Sequence, residues 1–596
     1  MTAPDRPGAA LAVACVLAAS LPTLLALHQP PSATLLNQCV AVALWGSLVA
    51  VMAPRLARGL GPAAALLAAL GLVVLAATAS WWLGTLPLSL ALQAIGLIAG
   101  AALMVVAGAA AARDGQGVAV ATALAWGLFV CGLLNAAVAL VQVFLPAWAD
   151  GHLIAASGLP GRAVGNLRQP NHLCSLLLWA MAAAVGLHAL GRLSGWLLAL
   201  ALPLLVLGVE LSASRTGAAG LLLFLAWGLL DRRLPRSARL ALLAAPVLYG
   251  LAWGAMAWWG SISQQALGAG ARLAADGGLG ESSPNARSNI WRNALQLIAA
   301  NPWAGTGFGE FNFAWSMTDF ANRPTAFFDH THNLPLQLMV ELGLPLASLV
   351  MALLGLALWQ GWRRGANAAD DAPALAGRMA LVLVLLTGLH SLVEYPLWYA
   401  YFLLPAALAW GLLLGMAPAA TPAGAAGPSL AGMATGLLLA ASGTLTVLDY
   451  QRVVVIYAPP EGGGTLAQRI AAGQFSLLFA HQADYAAATN GVPPASRALG
   501  LARATHSLLD TRLMIAWAQG LAANGHADEA RWVAARLRDF RNADAAEFFA
   551  PCVDAAAAAA PWQCQAPQRV HDWRTLARLP PLRVPADQAP GASASQ

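Results

Sequence analysis

The chain has 596 residues, of which 59% are apolar and only 10% charged, with a mean hydropathy of +0.65. A soluble globular domain carries about 25% charged residues, so the composition excludes a soluble enzyme and points to an all-α, polytopic membrane helix bundle. The net charge is +6 and every basic residue is an arginine; the surplus reads as membrane topology, not as nucleic-acid binding.

A membrane span needs about 20 mostly apolar residues. About thirteen stretches qualify, near 9–27, 35–53, 61–80, 88–112, 118–145, 173–190, 196–212, 216–230, 240–259, 334–359, 378–393, 398–416 and 430–448. The first has no small-residue cleavage site behind it and reads as a retained span rather than a signal peptide. Arg55, Arg58, Arg113, Arg192, Arg232, Arg233, Arg236, Arg239, Arg363, Arg364 and Arg378 fall in alternate short loops. By the positive-inside rule those loops and the N-terminus are cytoplasmic. The loops at 146–172, 212–216, 260–333 and 393–397, and everything after 449, then lie outside.

The outer loops hold the unusual chemistry. The first is Gly161-Arg162-Ala163-Val164-Gly165-Asn166-Leu167-Arg168-Gln169-Pro170-Asn171-His172, dense in hydrogen-bonding groups. Ser212-Ala213-Ser214-Arg215-Thr216-Gly217 is a tight turn between two spans, preceded by Glu210. A charge at bilayer centre costs about 2.5–3.5 kcal/mol even on the lenient insertion scale, so Arg215 sits at the interface, pairs with Glu210, or faces water. In the long loop, 288–300 reads as an amphipathic helix stopped at Asn301-Pro302, with Arg287 and Arg292 near its start. Gly305-Thr306-Gly307-Phe308-Gly309 has no strand before it, so it reads as a flexible turn rather than a nucleotide loop. The loop ends on Asp329-His330-Thr331-His332-Asn333 and runs directly into an apolar helix. Histidine takes or gives a proton near neutrality at little cost; the bland alternative is a polar helix cap. The last outer segment, His390-Ser391-Leu392-Val393-Glu394-Tyr395-Pro396-Leu397-Trp398-Tyr399, puts another His and a Glu at the same level, with Trp398 and Tyr399 reading as an interfacial aromatic belt.

Cys15, Cys39, Cys131 and Cys174 fall in or beside apolar spans and read as small buried hydrophobes. Cys552 and Cys564 stand apart in the polar tail, where an oxidising compartment would let them pair. No spacing suits a structural zinc, and no metal or cofactor is expected. After Asp449, segments 464–489, 495–509, 512–524 and 527–540 read as short helices, and Met514 to Phe540 has the size of a tetratricopeptide helix–turn–helix. The expected organisation is therefore a transmembrane region at 1–259, an outer loop carrying site residues at 260–333, a second transmembrane region at 334–448, a small helical domain at 449–575, and a disordered tail at 576–596.

His330-Thr331-His332-Asn333-Leu334-Pro335-Leu336-Gln337-Leu338 with Glu341-Leu342-Gly343 resembles the signature of the O-antigen ligase/polymerase superfamily. Gly165 to His172, Ser212 to Gly217 and His390 to Tyr399 are similar to its branch of PglL-type bacterial O-oligosaccharyltransferases, over about residues 10 to 450. The resemblance implies transfer of a glycan from undecaprenyl diphosphate to a hydroxyl acceptor at the periplasmic face of the inner membrane. The acceptor would be a protein such as a pilin or, alternatively, lipid A core; polymerisation of glycan repeats is a further alternative. It implies His332 as the catalytic residue, Arg215, Arg287, Arg292 and Arg168 as diphosphate ligands, and Asn333, His330, Asn171, Gln169, Glu394 and His390 as supporting residues. One position departs from the pattern: after His28-Gln29-Pro30-Pro31, Asn37 stands where an acidic residue is expected.

The chemistry agrees on physical grounds. A diphosphate leaving group concentrates negative charge, which the always-charged, bidentate guanidinium suits. Diphosphate leaves well without metal or acid, so the missing part is a base for the acceptor hydroxyl. The rival of another class is a lipid-linked glycan transporter; transporters often carry internal repeats and mid-membrane polar sites, whereas here no repeat is seen and the polar clusters sit at one face.

Overall fold

The computed structural model describes residues 7–275, 284–369, 371–416, 427–491, 494–553, 560–580 and 582. Of the expected disordered tail, 576–596, only 576–580 and 582 lie among the described residues, and there the expectation fails: Leu576 and Leu582 are buried in a core, so the ordered chain runs further than its composition suggests. Those residues are helical or irregular, with no strand among them. Among the described residues ten helices are long and apolar enough to cross a membrane, and three shorter apolar helices, Ala9–Leu24, Arg215–Leu230 and Ala400–Gly415, match the remaining stretches expected from sequence. A 16-residue helix is about 24 Å long, short of a hydrocarbon core of about 30 Å. The protein is a multi-pass membrane helix bundle.

Two compact units form, each assembled from distant stretches of chain. The first comprises residues 1–70, 97–277 and 351–447. Its centre is Pro170–Ala189, with Leu173, Cys174, Leu176, Leu177, Leu178, Trp179 and Met181 all buried. The four free cysteines are buried as expected. Arg236–Ser263 instead exposes Leu240, Val247, Leu251, Trp253 and Trp258, the pattern of a lipid-facing helix. Small residues bring backbones together where no hydrophobic drive separates lipid from protein. A side chain at Gly436 would strike the Ala50 backbone, and one at Gly411 the Val105 backbone.

Loop-to-loop contacts in this unit respect the arginine-based topology. On one face Arg58 pairs with Asp114 at 2.5 Å, Arg378 pairs with Asp231, Arg233 donates to Ala368 O at 2.9 Å, and Ser429 N donates to Ala53 O at 2.9 Å. All of these lie in loops assigned to the cytoplasm. On the other, Gly268 N donates to Gly161 O at 2.7 Å and Arg162 to Ser212 O at 3.1 Å, joining loops assigned outside.

The second unit comprises residues 71–96, 278–350 and 448–596. The Pro284–Ala300 helix buries Ile290, Ala294, Leu297 and Ile298, the spacing of one helical face. These join Phe311, Phe313, Trp315, Phe328 and Val340 in a core completed by Leu513, Met514, Trp517, Trp532, Leu537 and Phe540 of the tail. The helix pair Thr511–Ala523 and Ala527–Asp539 takes the expected helix–turn–helix form, turning at Gly525. Instead of standing alone, it clamps the long loop. Trp532 Nε1 donates to Met317 O at 3.0 Å, and Arg536 pairs with Asp319. Arg323 lies over Trp315 and Phe540, its carbon 4.8 and 4.7 Å from the ring centroids, and burial pushes its pKa down to about 9. Glu310 ties three segments: it accepts from Thr85 at 2.8 Å and meets His506 Nδ1 at 2.8 Å, both groups being buried. Cys552 and Cys564 form a disulfide.

Three elements differ from expectation. The stretch 464–489 is split into Leu466–Gly473 and Ala480–Asn490, because the Asp449 carboxylate accepts the backbone N–H groups of Leu477 and Leu478 between them. The last apolar helix runs past 448 to Tyr457. The 334–359 span is broken at Gly343, whose φ of 74° and ψ of 166° only glycine adopts easily. A side chain there would strike the Trp303 carbonyl.

Candidate functional site

Each unit carries one cluster of the residues singled out from sequence. In the first unit the centre is Asn171, in the opening turn of Pro170–Ala189. Its Nδ2 donates to Glu394 Oε1 at 2.9 Å, and its Oδ1 accepts from Ser214 Oγ at 2.6 Å. One amide thus joins three segments. Gln169 caps the helix, its Oε1 accepting from Asn171 N at 2.5 Å and His172 N at 3.0 Å; this satisfies N–H groups a helix start leaves open. His390 is buried and meets Ser175 Oγ at 2.8 Å through Nδ1. The edge of the ring system Tyr395, Tyr399 and Tyr401 packs beside His172.

Ser214 accepts from Thr216 N and caps the Arg215–Leu230 helix, which makes Arg215 its first residue, exposed at the same end. An anion is favoured there by the helix N-terminus as well as by the guanidinium. Glu210 is engaged with another segment: its Oε1 accepts from Ala269 N at 3.1 Å. Arg168 adopts φ 56° and directs its guanidinium at Ala26 O, 2.6 Å away, and at His28 Nδ1, 3.2 Å away. Burial lowers its pKa. It braces the 25–28 loop while remaining half-buried. Asn37 gives its departure from the family pattern a local reason. Its buried Nδ2 donates to Pro22 O and Leu25 O, both at 2.8 Å, closing the end of Ala9–Leu24. A carboxylate could not donate those bonds.

In the second unit His332 is a half-buried, non-glycine residue at φ 53°, a left-handed conformation that costs of order 1–3 kcal/mol when held by its surroundings. The holders are visible on both sides. Thr331 N donates to Gln337 Oε1 at 2.8 Å, and Thr331 O accepts from Trp291 Nε1 at 2.8 Å. Asn333 caps the following helix through Leu336 N at 3.0 Å. Gln337 Nε2 in turn donates to buried Glu341 at 3.0 Å. The imidazole of His332 meets the Phe328 ring edge-on with centroids 5.3 Å apart. His330 Nδ1 lies 2.6 Å from Asp329 Oδ1. Burial works to raise the Asp329 pKa, but the His330 charge and hydrogen bond, with His332, outweigh it and hold the carboxyl below its usual range.

The Pro284–Ala300 helix separates its two arginines. Arg287 precedes Trp291 by four residues and shares its face toward the His332 loop. Arg292 is exposed and near Asn289, at 3.4 Å. The glycine turn is bound to the helix break: Thr306 N donates to Val340 O at 2.8 Å and Gly307 N to Glu341 O at 3.0 Å, with Gly305, Gly307 and Gly309 all at positive φ.

Sequence reasoning passed over Gln142, Gln337 and Trp291. Gln142 is buried, accepts from Val164 N and Gly165 N at 3.0 and 2.9 Å, and donates to Ala155 O at 2.7 Å. A glutamine inside an apolar span was a usable signal, since such polar groups need a partner. Trp291 gave no signal that would separate it from core aromatics. Among the described residues no cluster of His, Cys, Asp and Glu is arranged to hold a metal ion.

Three segments match known families: residues 163–188 match protein glycosylation ligase, 198–351 match O-antigen ligase, and 378–550 match the C-terminal part of virulence factor membrane-bound polymerases. The chain is also 26% identical over 315 residues to a general O-oligosaccharyltransferase of Acinetobacter baylyi (strain ATCC 33305 / BD413 / ADP1), a match covering 50% of each protein. It therefore spans about half the length of that curated relative.

Proposed function

Because the chain belongs to the O-antigen ligase superfamily, near its protein-glycosylation ligases, we propose that it transfers a glycan from undecaprenyl diphosphate to a hydroxyl at the periplasmic face of the inner membrane. The acceptor is a Ser or Thr of a protein such as a pilin. The observation that carries the reading is the His332 loop: an imidazole presented from a strained residue whose neighbours on both sides are hydrogen-bonded in place. Strain maintained this way fits a reacting group better than a simple cap.

In the reaction, an imidazole nitrogen of His332 takes the acceptor O–H proton. The freed oxygen pair attacks the anomeric carbon, and the bond to the diphosphate oxygen breaks with its electrons leaving on the diphosphate. This single displacement inverts the anomeric centre. Arg215, Arg287, Arg292 and Arg168 are the diphosphate ligands on this reading, because a guanidinium binds phosphate bidentately and can stabilise the growing charge. Diphosphate leaves well enough that no metal is called for. Arg168 and Gln169 hold their outer loops, and Asn171 with Glu394 and His390 fixes the junction beside Arg215. Asn333 and His330 flank the base. The Cys552–Cys564 disulfide supports an oxidising compartment for the tail. A tail core built into the long loop gives the helical domain a buttressing role beside any peptide contact.

The O-antigen ligase match favours lipid A core as the second acceptor to test. Purified protein in lipid, given a defined undecaprenyl-diphosphate glycan and a candidate pilin, should increase the pilin's intact mass by one glycan. No mass gain on pilin, with modification of lipid A core instead, selects the second acceptor; donor movement across vesicles without any acceptor would make the protein a transporter.

A further inference from the structure

We propose that the tail segment between the helices Leu466–Gly473 and Ala480–Asn490 is a lipid-inserted anchor, with Phe475 and Leu477 buried in the outer leaflet at the hydrocarbon edge. The two side chains are 80% and 60% exposed, so the protein core does not use them. They lie beside membrane-spanning helices, not beyond their ends. Gln93 donates to Leu478 O at 2.5 Å, and it follows the first residue of Leu88–Arg113 by five positions, about 7.5 Å along the axis. Asp449 accepts from Ser476 Oγ at 2.7 Å, Leu477 N at 3.2 Å and Leu478 N at 2.9 Å. It precedes the end of Leu430–Tyr457 by eight positions, about 12 Å.

Those helices of 26 and 28 residues are about 39 and 42 Å long, against a hydrocarbon core of about 30 Å. Centred in the bilayer, they overhang by about 4.5 and 6 Å per side. The 475–478 segment therefore reaches the headgroup boundary or slightly below it. The chemistry matches that depth. The segment's backbone donors are satisfied, Leu477 and Leu478 by Asp449 and Phe475 and Ser476 by the Ala472 and Gly473 carbonyls, as low-dielectric surroundings require. Arg452, exposed along its side chain, donates to Phe475 O at 3.0 Å and lies 3.8 Å from Asp449, where its charge can also meet lipid phosphate. Trp82 and Leu83, 77% and 84% exposed, mark the nearby end of Ala57–Trp82 with the aromatic and apolar residues typical of an interface. Apolar tips with an arginine behind them are the pattern of a segment lying in the interface plane. The occupant this fits is lipid, and the consequence is that the helical tail is fastened to the membrane at its own rim.

The test is collision accessibility in lipid nanodiscs. Phe475→Cys and Leu477→Cys, each carrying a nitroxide, should meet dissolved oxygen more often than a water-soluble nickel chelate. Glu461→Cys, on the exposed loop before these helices, should show the reverse order. The native free cysteines are buried, and unsubstituted protein sets the background. Because both side chains are exposed, their replacement leaves the core intact. A water-type ratio at 475 and 477 equal to that at 461 overturns the proposal. So does protection from both reagents, which would mean a protein surface covers them.

Discussion

The Asn171 junction and the His332 loop are both polar, and both stand where the sequence places outer loops, yet they are built in opposite ways. At the junction nearly every polar atom is spent on another part of the scaffold. Asn171 joins Ser214 to Glu394, Gln169 caps a helix, and Arg168 holds the 25–28 loop. Around His332 the bonds go to the residues beside it, Thr331 and Asn333, so the imidazole is aimed by its neighbours. The difference lies in what is held: at the junction the side chains tie separate segments together, and at His332 the neighbours hold a strained backbone position.

Asn171→Leu is the strongest way to break this comparison. It removes a hydrogen-bond donor to the buried Glu394 and an acceptor for Ser214, each worth about 1–3 kcal/mol when buried. A large fall in thermal unfolding temperature is expected, with transfer lost alongside. Lost transfer at unchanged unfolding temperature would move Asn171 from scaffold to chemistry.

Gln337→Leu sharpens the other side. Thr331 N loses its acceptor and Glu341 one donor, each worth about 1–3 kcal/mol when buried. Because these bonds hold the His332 backbone, transfer should fall by a larger factor than stability alone explains, seen as a lowered kcat in protein that is still folded. An equal fall for Gln337→Leu and for a remote variant of matched stability would remove the aiming role.

Arg215→Lys keeps the charge but loses the fork. About a tenfold rise in donor KM is expected, equivalent to roughly 1.4 kcal/mol, while Arg292→Ala, at an exposed position, should change it by less than about twofold. Equal effects would erase the ranking of the two arginines.

The smallest effect concerns pH. Asp329 is held below its usual range by His330. A depressed carboxylate contributes stability above its unfolded pKa of about 3.9, and loses it as pH falls through the lower folded value. Asp329 is about half exposed, so the effect is a local loosening. Backbone exchange protection at Thr331 should hold from neutral pH down to about 5 and drop only below about 4. Loss of protection already near pH 6 would implicate a different group.

Much of this was legible in the sequence because membranes force simple patterns. Apolar runs located the helices, and arginine spacing sorted the loops so well that the contacts within the first unit join loops of like assignment. The amphipathic face of Ile290, Ala294, Leu297 and Ile298 also followed from spacing. What escaped depends on long-range pairing. Nothing local said that Asp449 would capture Leu477 and Leu478 and split a helix, or that Thr85 and His506 would meet on Glu310. The break at Gly343 is set by the close approach of Trp303, and nothing local said that Arg168, read for its charge, would also brace the 25–28 loop.

The most direct measurement is single-turnover transfer by the His332→Gly variant, with donor binding measured in parallel. Glycine accepts φ 53° without strain, so the loop keeps its path and only the imidazole is lost. Donor affinity should be unchanged, thermal stability unchanged or slightly raised, and transfer reduced by about 10²–10⁴-fold. Transfer within a few-fold of the native rate, in protein that binds donor normally, would contradict the catalytic role of His332.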